Sequence, residues 1–367
     1  MSARTARANC VKLSVVQLAT DNLTRFERRK GRQPPANRLG AVNERGVEES
    51  RAGSADPAEP PPPTTRIRLE VAYDGTAFFG WTRQPGMRTV QGEIEAAFGV
   101  IFRRHPPIPT LVVAGRTDAG VHATGQVAHV DLTPDQLESL ARPRRGKLAG
   151  RVFDGPASLG RRVNGIAGLN SDVYVSRSAL APAGFDARFS AVWRRYQYRI
   201  ADNLAPRNPI ERRNTVWYPA ALDVQLMNEA AASLLGLHDW AAFCKPREGA
   251  TTIRTLHEFG WSRQPDGVLV AEVKADAFCH SMVRSLVGAC VAVGQGNLPL
   301  ERLVGIRDEQ LRGSEFKVMP AKGLSMVEVG YPADDGLAAR ADQTRARRQA
   351  GEAPPVLIHR PGAGLTD

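Results

Sequence analysis

The sequence predicts an α+β fold in two halves, and three observations carry that prediction. Short runs with a two-residue apolar period alternate with longer runs whose apolar residues fall at helical spacing, as expected for half-buried strands and for helices laid on a sheet. From residue 64 to 184 the order is strand, helix, strand, strand, helix, strand, and the logic repeats from 185 to 332. In the first half, a loop dense in glycine and charge, Gly115-Arg116-Thr117-Asp118-Ala119-Gly120, separates two of the strands.

The first half opens at Arg66–Tyr73, where Ile67, Leu69, Val71 and Tyr73 alternate with more polar positions. Asp74-Gly75-Thr76 turns the chain into an aromatic and basic loop, Phe78 to Pro85. Val90, Ile94, Ala97, Phe98 and Ile101 then fall on one helical face behind Thr89, a suitable N-cap. Leu111–Ala114 is a short β-branched run bounded by Pro109 and Gly115, hence a buried strand. Gly125–Leu132 alternates, with Ala128, Val130 and Leu132 on one face. A short helix is expected after 134, and another through Leu159, Val163 and Ile166. Between them residues 142–151 are too basic and too broken by Gly and Pro for a core element, and they read as a solvated insertion. Asp172–Val175 closes a ferredoxin-like order.

In the second half, Trp193–Ile200 is a strand with Tyr196, Tyr198 and Ile200 on one face. Leu226, Ala230 and Leu234 mark a helix, and strands follow at 252–256 and 267–273. Phe278, Met282, Leu286, Ala289 and Val293 fit one face of a helix that Gly294 stops. Residues 322–329 supply the last strand. Residues 1–63, basic and proline-rich with little apolar content, read as a disordered extension, and 333–367 as a disordered tail.

At 367 residues the chain is long enough to bury a substantial core. No apolar run approaches the ~20 residues that span a bilayer, and no apolar signal core follows the basic N-terminus, so neither membrane insertion nor secretion is expected. The four cysteines lack paired Cys-x-x-Cys spacing, which argues against a zinc site and a disulfide scaffold and for a reducing compartment. Net charge is +11, of which the 1–63 segment contributes +4 and the 334–367 tail nothing, so the folded middle is itself basic. A basic surface suits a polyanionic partner whose phosphates supply salt-sensitive affinity.

Taken alone, the Asp118 loop fits a strand-connecting turn in which Thr117 and Asp118 bond their own backbone. However, Gly115-Arg116-Thr117-Asp118-Ala119-Gly120-Val121-His122 resembles the signature of the tRNA pseudouridine synthase A family. So do Tyr73-Asp74-Gly75-Thr76 followed by Phe78-x-Gly80-Trp81 and Gln84, Phe185–Ala191, and the closing Gly323-Leu324-Ser325-Met326. The similarity runs over roughly residues 66–332. It departs from the family pattern at Asp186, usually histidine, and at Met326, usually leucine.

The resemblance implies an isomerase of two ferredoxin-like, RRM-like halves whose sheets meet around a central catalytic cleft. It implies Asp118 as nucleophile, Arg284 as its partner and Tyr196 as the ring that stacks on the target base. Arg116 is then the residue that steadies or displaces the nucleotide during extrusion, Leu324 packs on the base from the other side, and Arg188 anchors a phosphate or loop. The substrate implied is uridine at tRNA positions 38, 39 and 40 in the anticodon arm, and the assembly a cytoplasmic homodimer. No metal cluster, Walker loop or dinucleotide fingerprint occurs, so no metal or cofactor is expected.

Two other readings belong to different classes. A non-catalytic RNA-binding protein on two RRM-like sheets would share the basicity and aromatic strands, but the chain has no RNP1 sequence and Asp118 would be left without a purpose. A hydrolase using Cys279 and His280 is discounted, because adjacent helical residues point to different faces. His238 is expected to be structural, since no triad surrounds it.

Overall fold

The alternating apolar residues of the first strand do what their period requires. Ile67, Leu69 and Val71 are fully buried and Tyr73 nearly so, on β1 (Thr65–Tyr73). A computed structural model describes residues 63–142, 154–246 and 251–350 of the chain. The extension at 1–62 and nearly all of the basic insertion lie outside those residues.

β1 is followed by α1 (Val90–Ile101), capped by Thr89, whose hydroxyl accepts the Gly92 N–H. β2 (Leu111–Val113) and β3 (His122–Leu132) come next, then α2 (Pro134–Ala141), opened by a Thr133–Gln136 capping box. α3 (Gly155–Ala167) and β4 (Val173–Leu180) complete the first half. Its strands lie in the order β4-β1-β3, with β2 on the outer end of β3.

The second half runs β5 (Trp193–Ala201), β6 (Val216–Trp217), α4 (Val224–Ser233), β7 (Gly236–Asp239), β8 (Ile253–Arg263) and β9 (Leu269–Ala275). It ends with α5 (Met282–Gly294), α6 (Leu300–Glu309), β10 (Leu324–Gly330) and α7 (Leu337–Ala350). Its order is β10-β5-β9-β8, extended by β7. In both halves the last strand flanks the first, and the third lies beyond it next to the second. The repeated order expected from the sequence is therefore a repeated topology.

The two sheets join into one. β10 pairs antiparallel with β5 and, through Ser325 opposite His122 and Met326 opposite Ala123, parallel with β3. That seam needs close backbones: a Cβ on Gly125 would lie 2.0 Å from the Val327 carbonyl oxygen. Behind the second sheet α5 is buried on nearly every side, from Met282 through Val293. Each fully buried side chain such as Leu286 contributes ~1.5–3 kcal/mol of transfer free energy.

Three expectations are corrected. The helix with Leu286 begins at Met282, not near Phe278, because Ser281 adopts a left-handed conformation at φ 65° and breaks the run. Residues 337–350 of the supposed tail are helical. Leu337 and Ala341, four apart, are buried, and the Arg345 guanidinium pairs with Asp186 at 2.9 Å. Cys244 and Cys279, which carry no spacing signal, are joined as a disulfide. Among the described residues no helix is long and apolar enough to cross a membrane.

Gly125→Ala is expected to cost ~1–3 kcal/mol by forcing the seam apart, whereas Gly99→Ala in open space on α1 should be neutral or stabilising. Thermal denaturation compares them, and equal melting temperatures would remove the seam's need for glycine.

His129 on β3 supports a second prediction. Burial, helped by the nearby Arg66 cation, lowers its pKa to about 4, and its Nδ1 accepts the Ala187 N–H. Between that value and the ordinary 6.5 the unfolded chain holds a proton that the native one does not. Stability should therefore fall as pH drops through this window, and His129→Gln should flatten the slope of melting temperature against pH. A slope unaltered in the variant would assign the acid sensitivity elsewhere.

Candidate active site

The loop carrying Asp118 is held by neighbours on all sides, and the residues that hold it explain its odd composition. Gly80, at φ +89°, brings its backbone so close that a Cβ there would lie 2.8 Å from the Thr117 carbonyl oxygen. The Trp81 N–H donates to that same oxygen, and the Gly120 N–H donates to the Phe78 carbonyl. A Cβ on Gly75 would fall 2.0 Å from the Val121 oxygen. Thus Asp74-Gly75-Thr76 and the Phe78–Trp81 loop are the cradle of the Asp118 loop. The Tyr73 hydroxyl and the Thr117 hydroxyl are 2.8 Å apart, and Gln126 Nε2 donates to the Gly115 carbonyl at 2.8 Å. Burial raises the Tyr73 phenol to about 12, so it remains a neutral clamp.

The loop opens into a cleft of about 1140 Å³ at the seam between the halves. All six residues singled out in the sequence line it: Arg116, Asp118, Arg188, Tyr196, Arg284 and Leu324. Asp118 remains one-third exposed, with Arg284 Nη1 3.9 Å from its Oδ2. Tyr196 is 7% exposed; β5 holds it opposite Met326 of β10 and Val273 of β9. Phe278 meets its ring edge-on at 5.1 Å. Burial drives the Tyr196 phenol far above its ordinary value, and the Tyr73 and Asp118 sides add to this, so its proton stays on. Leu324, 5% exposed, starts β10, and Arg188 lies over the Phe189 ring. The departures from the family pattern have structural partners. Met326 is buried with its methyl 3.3 Å from where a Gly115 Cβ would sit, and Asp186 accepts the Arg188 and Phe189 N–H groups and binds Arg345.

The structure adds residues that sequence patterning passed over. His280 Nε2 lies 3.6 Å from Asp118 Oδ1, and the Ser281 hydroxyl faces Oδ2 at 3.5 Å. In sequence His280 stands out only beside Cys279, and its one further signal is its place shortly before Arg284. Arg194, one residue from the tryptophan that opens β5, is a bolt beneath the site. Its guanidinium donates to the carbonyls of Asp276, Ala114 and Arg188, tying β2 to the loop before α5. Nothing in a strand's alternation distinguishes such an arginine from a solvated one. His238, by contrast, stacks edge-on against Trp240 and bonds the Leu235 carbonyl, as a structural histidine would.

Fold and site together define a two-half α+β protein with a carboxylate-centred cleft whose walls carry several cations, an arrangement suited to chemistry on a polyanion. The family model for tRNA pseudouridine synthase matches residues 230–332. A tRNA pseudouridine synthase A from Leifsonia xyli subsp. xyli is 60% identical over 284 residues, spanning 77% of this chain and 98% of the relative. Those of Frankia casuarinae and Cutibacterium acnes are 51% and 49% identical, each over 77% of this chain and 95% of the relative. The chain belongs to the tRNA pseudouridine synthase A family.

The disulfide bears on this site because Cys279 directly precedes His280, and the Lys245 N–H donates to the His280 carbonyl at 2.9 Å. Closing a 35-residue separation stabilises by at most ~4 kcal/mol on chain-entropy grounds. Reductant should lower the melting temperature of the wild type and leave Cys244→Ser unmoved. An unmoved wild type would mean that the two thiols are not linked in solution.

Proposed function

We propose that this protein isomerises uridine to pseudouridine at positions 38, 39 and 40 of the tRNA anticodon arm, with Asp118 as nucleophile. The observation that carries this is the placement of Asp118 on a pinned loop, within ion-pair distance of Arg284, in one cleft with the buried Tyr196 ring. Membership of the synthase family disfavours the binding-only alternative, which gives this constellation no task.

The reaction detaches uracil from C1′ and reattaches it through C5, so it needs a nucleophile, a means of holding the loose base, and a route for the C5 proton. Asp118 either adds to the ring or takes a ribose proton to give a glycal, and both routes use the same ionised oxygen. Arg284 stands 3.9 Å from that carboxylate as its partner across the cleft. Tyr196 supplies a flat apolar face for the base, and its hydroxyl, kept protonated by burial, is positioned for exchange with C5. Arg116, exposed on the shoulder of the loop, replaces or steadies the nucleotide when the uridine leaves its stack. Leu324 confines the base from the opposite side, and Arg188 faces the strand. A groove that reads shape and phosphates suits an enzyme acting at three neighbouring positions. The family likeness also supports a homodimer working in the cytoplasm without a cofactor.

The test is incubation with unmodified tRNA transcripts carrying uridine at 38, 39 or 40, without cofactor, with pseudouridine mapped by position. Wild type should modify them, and Asp118→Asn should lose at least about ten-thousandfold in rate while retaining tRNA binding. Turnover preserved in that variant would end the assignment of Asp118. No product from a folded, tRNA-binding wild type would favour the binding-only protein.

A further inference from the structure

The family-model match ends at residue 332, yet the cleft does not. Arg340 and Thr344, both on α7, line it together with Asp118 and Arg188. Spaced four apart, they share one face of the helix. The adjoining face is fixed to the body of the protein. Leu337 and Ala341 are buried, and the Leu337 carbonyl accepts the Ser190 hydroxyl at 3.0 Å. Gly184 meets the helix so closely that a Cβ there would lie 2.6 Å from that of Ala338. Arg345 pairs with Asp186, itself clamped by two N–H groups, and lies over the Phe189 ring 5.1 Å from its centre. A helix held at so many points presents Arg340 in a set direction.

The surroundings say what that direction is for. Arg188 and Arg194 line the same cleft, and the bonds of Arg194 run to backbone carbonyls. Arg340 bonds the Gln343 side chain at 3.1 Å. The Thr344 hydroxyl is turned to the Arg340 carbonyl, so Thr344 contributes shape and Arg340 the charge. Guanidinium groups lining one cleft suit the charge of a phosphodiester strand.

We infer that α7 is a wall of the RNA-binding cleft and that Arg340 contacts a phosphodiester of the strand entering it. This rests on tRNA being the ligand, as proposed above, but not on the chemistry at Asp118. Asp186, where the chain departs from its family pattern, is the anchor that positions the helix for this contact.

The experiment measures binding of an unmodified tRNA transcript across a salt series, in an Asp118→Asn background, for Arg340→Gln, Arg340→Lys and Arg177→Ala. Arg177→Ala removes equal charge from β4, outside the cleft. Steady-state pseudouridine formation is followed in the same substitutions with Asp118 intact. Arg340→Gln should weaken binding about tenfold and reduce the slope of log affinity against log salt by ~0.7–0.9, one phosphate's worth. In turnover the loss should fall on KM rather than kcat. Arg340→Lys should keep the slope, and Arg177→Ala should keep both slope and affinity. A merely structural role would lower the melting temperature without changing the slope, and that outcome, or wild-type binding by Arg340→Gln, overturns the inference. If no pseudouridine forms at all, the salt slopes still decide the role of Arg340, so the two failures are distinguishable.

Discussion

The short parallel pairing of β3 with β10 is the constraint on which the rest of the structure depends. Two strands from different halves meet over His122, Ala123, Ser325 and Met326, and two walls of the cleft are attached to them. The Asp118 loop is the entry to β3, and Leu324 is the first residue of β10. Such a joint is possible only where the backbones approach without side chains between them, which is why Gly125 lies against Val327 and Gly115 against Met326. Glycine here serves close packing more than flexibility. The loop it permits is rigid, because Tyr73, Gly80, Trp81 and Gln126 each fix a different part of it, and a preorganised carboxylate is what a positioned nucleophile requires.

Much of this was legible in the sequence because burial on one sheet face writes a two-residue period. Ile67, Leu69, Val71 and Tyr73 announce β1, and Tyr196, Tyr198 and Ile200 announce β5, in each case correctly. The Asp118 loop, by itself compatible with an ordinary turn, stands out through its resemblance to the family signature. What the pattern hides are contacts between distant segments. Arg194 looks like any charged strand residue until three carbonyls are found around it. Phe278 falls at helical spacing from Met282, yet it belongs to the Tyr196 wall, because the left-handed Ser281 intervenes. α7 shows too little apolar periodicity to be noticed, since besides Leu337 and Ala341 it is held by a hydrogen bond from Ser190, close approach of Gly184 and an ion pair rather than by a stripe. Cys244 and Cys279 are brought together by the loops that carry them, and no local spacing could say so.

The carboxylates of this protein divide by how tightly they are held, and the division separates support from chemistry. Asp202 is clamped by two Arg263 bonds and by the Leu204 and Leu222 N–H groups. Asp131 is bound by Nε and Nη2 of Arg66, and Asp186 by two N–H groups and Arg345. Those oxygens are satisfied, and reacting would mean breaking several short bonds. Asp118 is different in kind. Arg284, His280 and Ser281 stand 3.5–3.9 Å from it, beyond or at the edge of a hydrogen bond. Of these three, the Ser281 hydroxyl alone donates to it, and at the far limit of such a bond. The nucleophilic role proposed for Asp118 asks for oxygens left open to the substrate. Backbone contacts supply the rigidity that side-chain bonds would otherwise give, so the loop can be fixed while the carboxylate stays available. The glycines at the seam thus bear on the site, because they let the main chain do the holding and leave the Asp118 side chain one-third exposed in the cleft, as the proposed role requires.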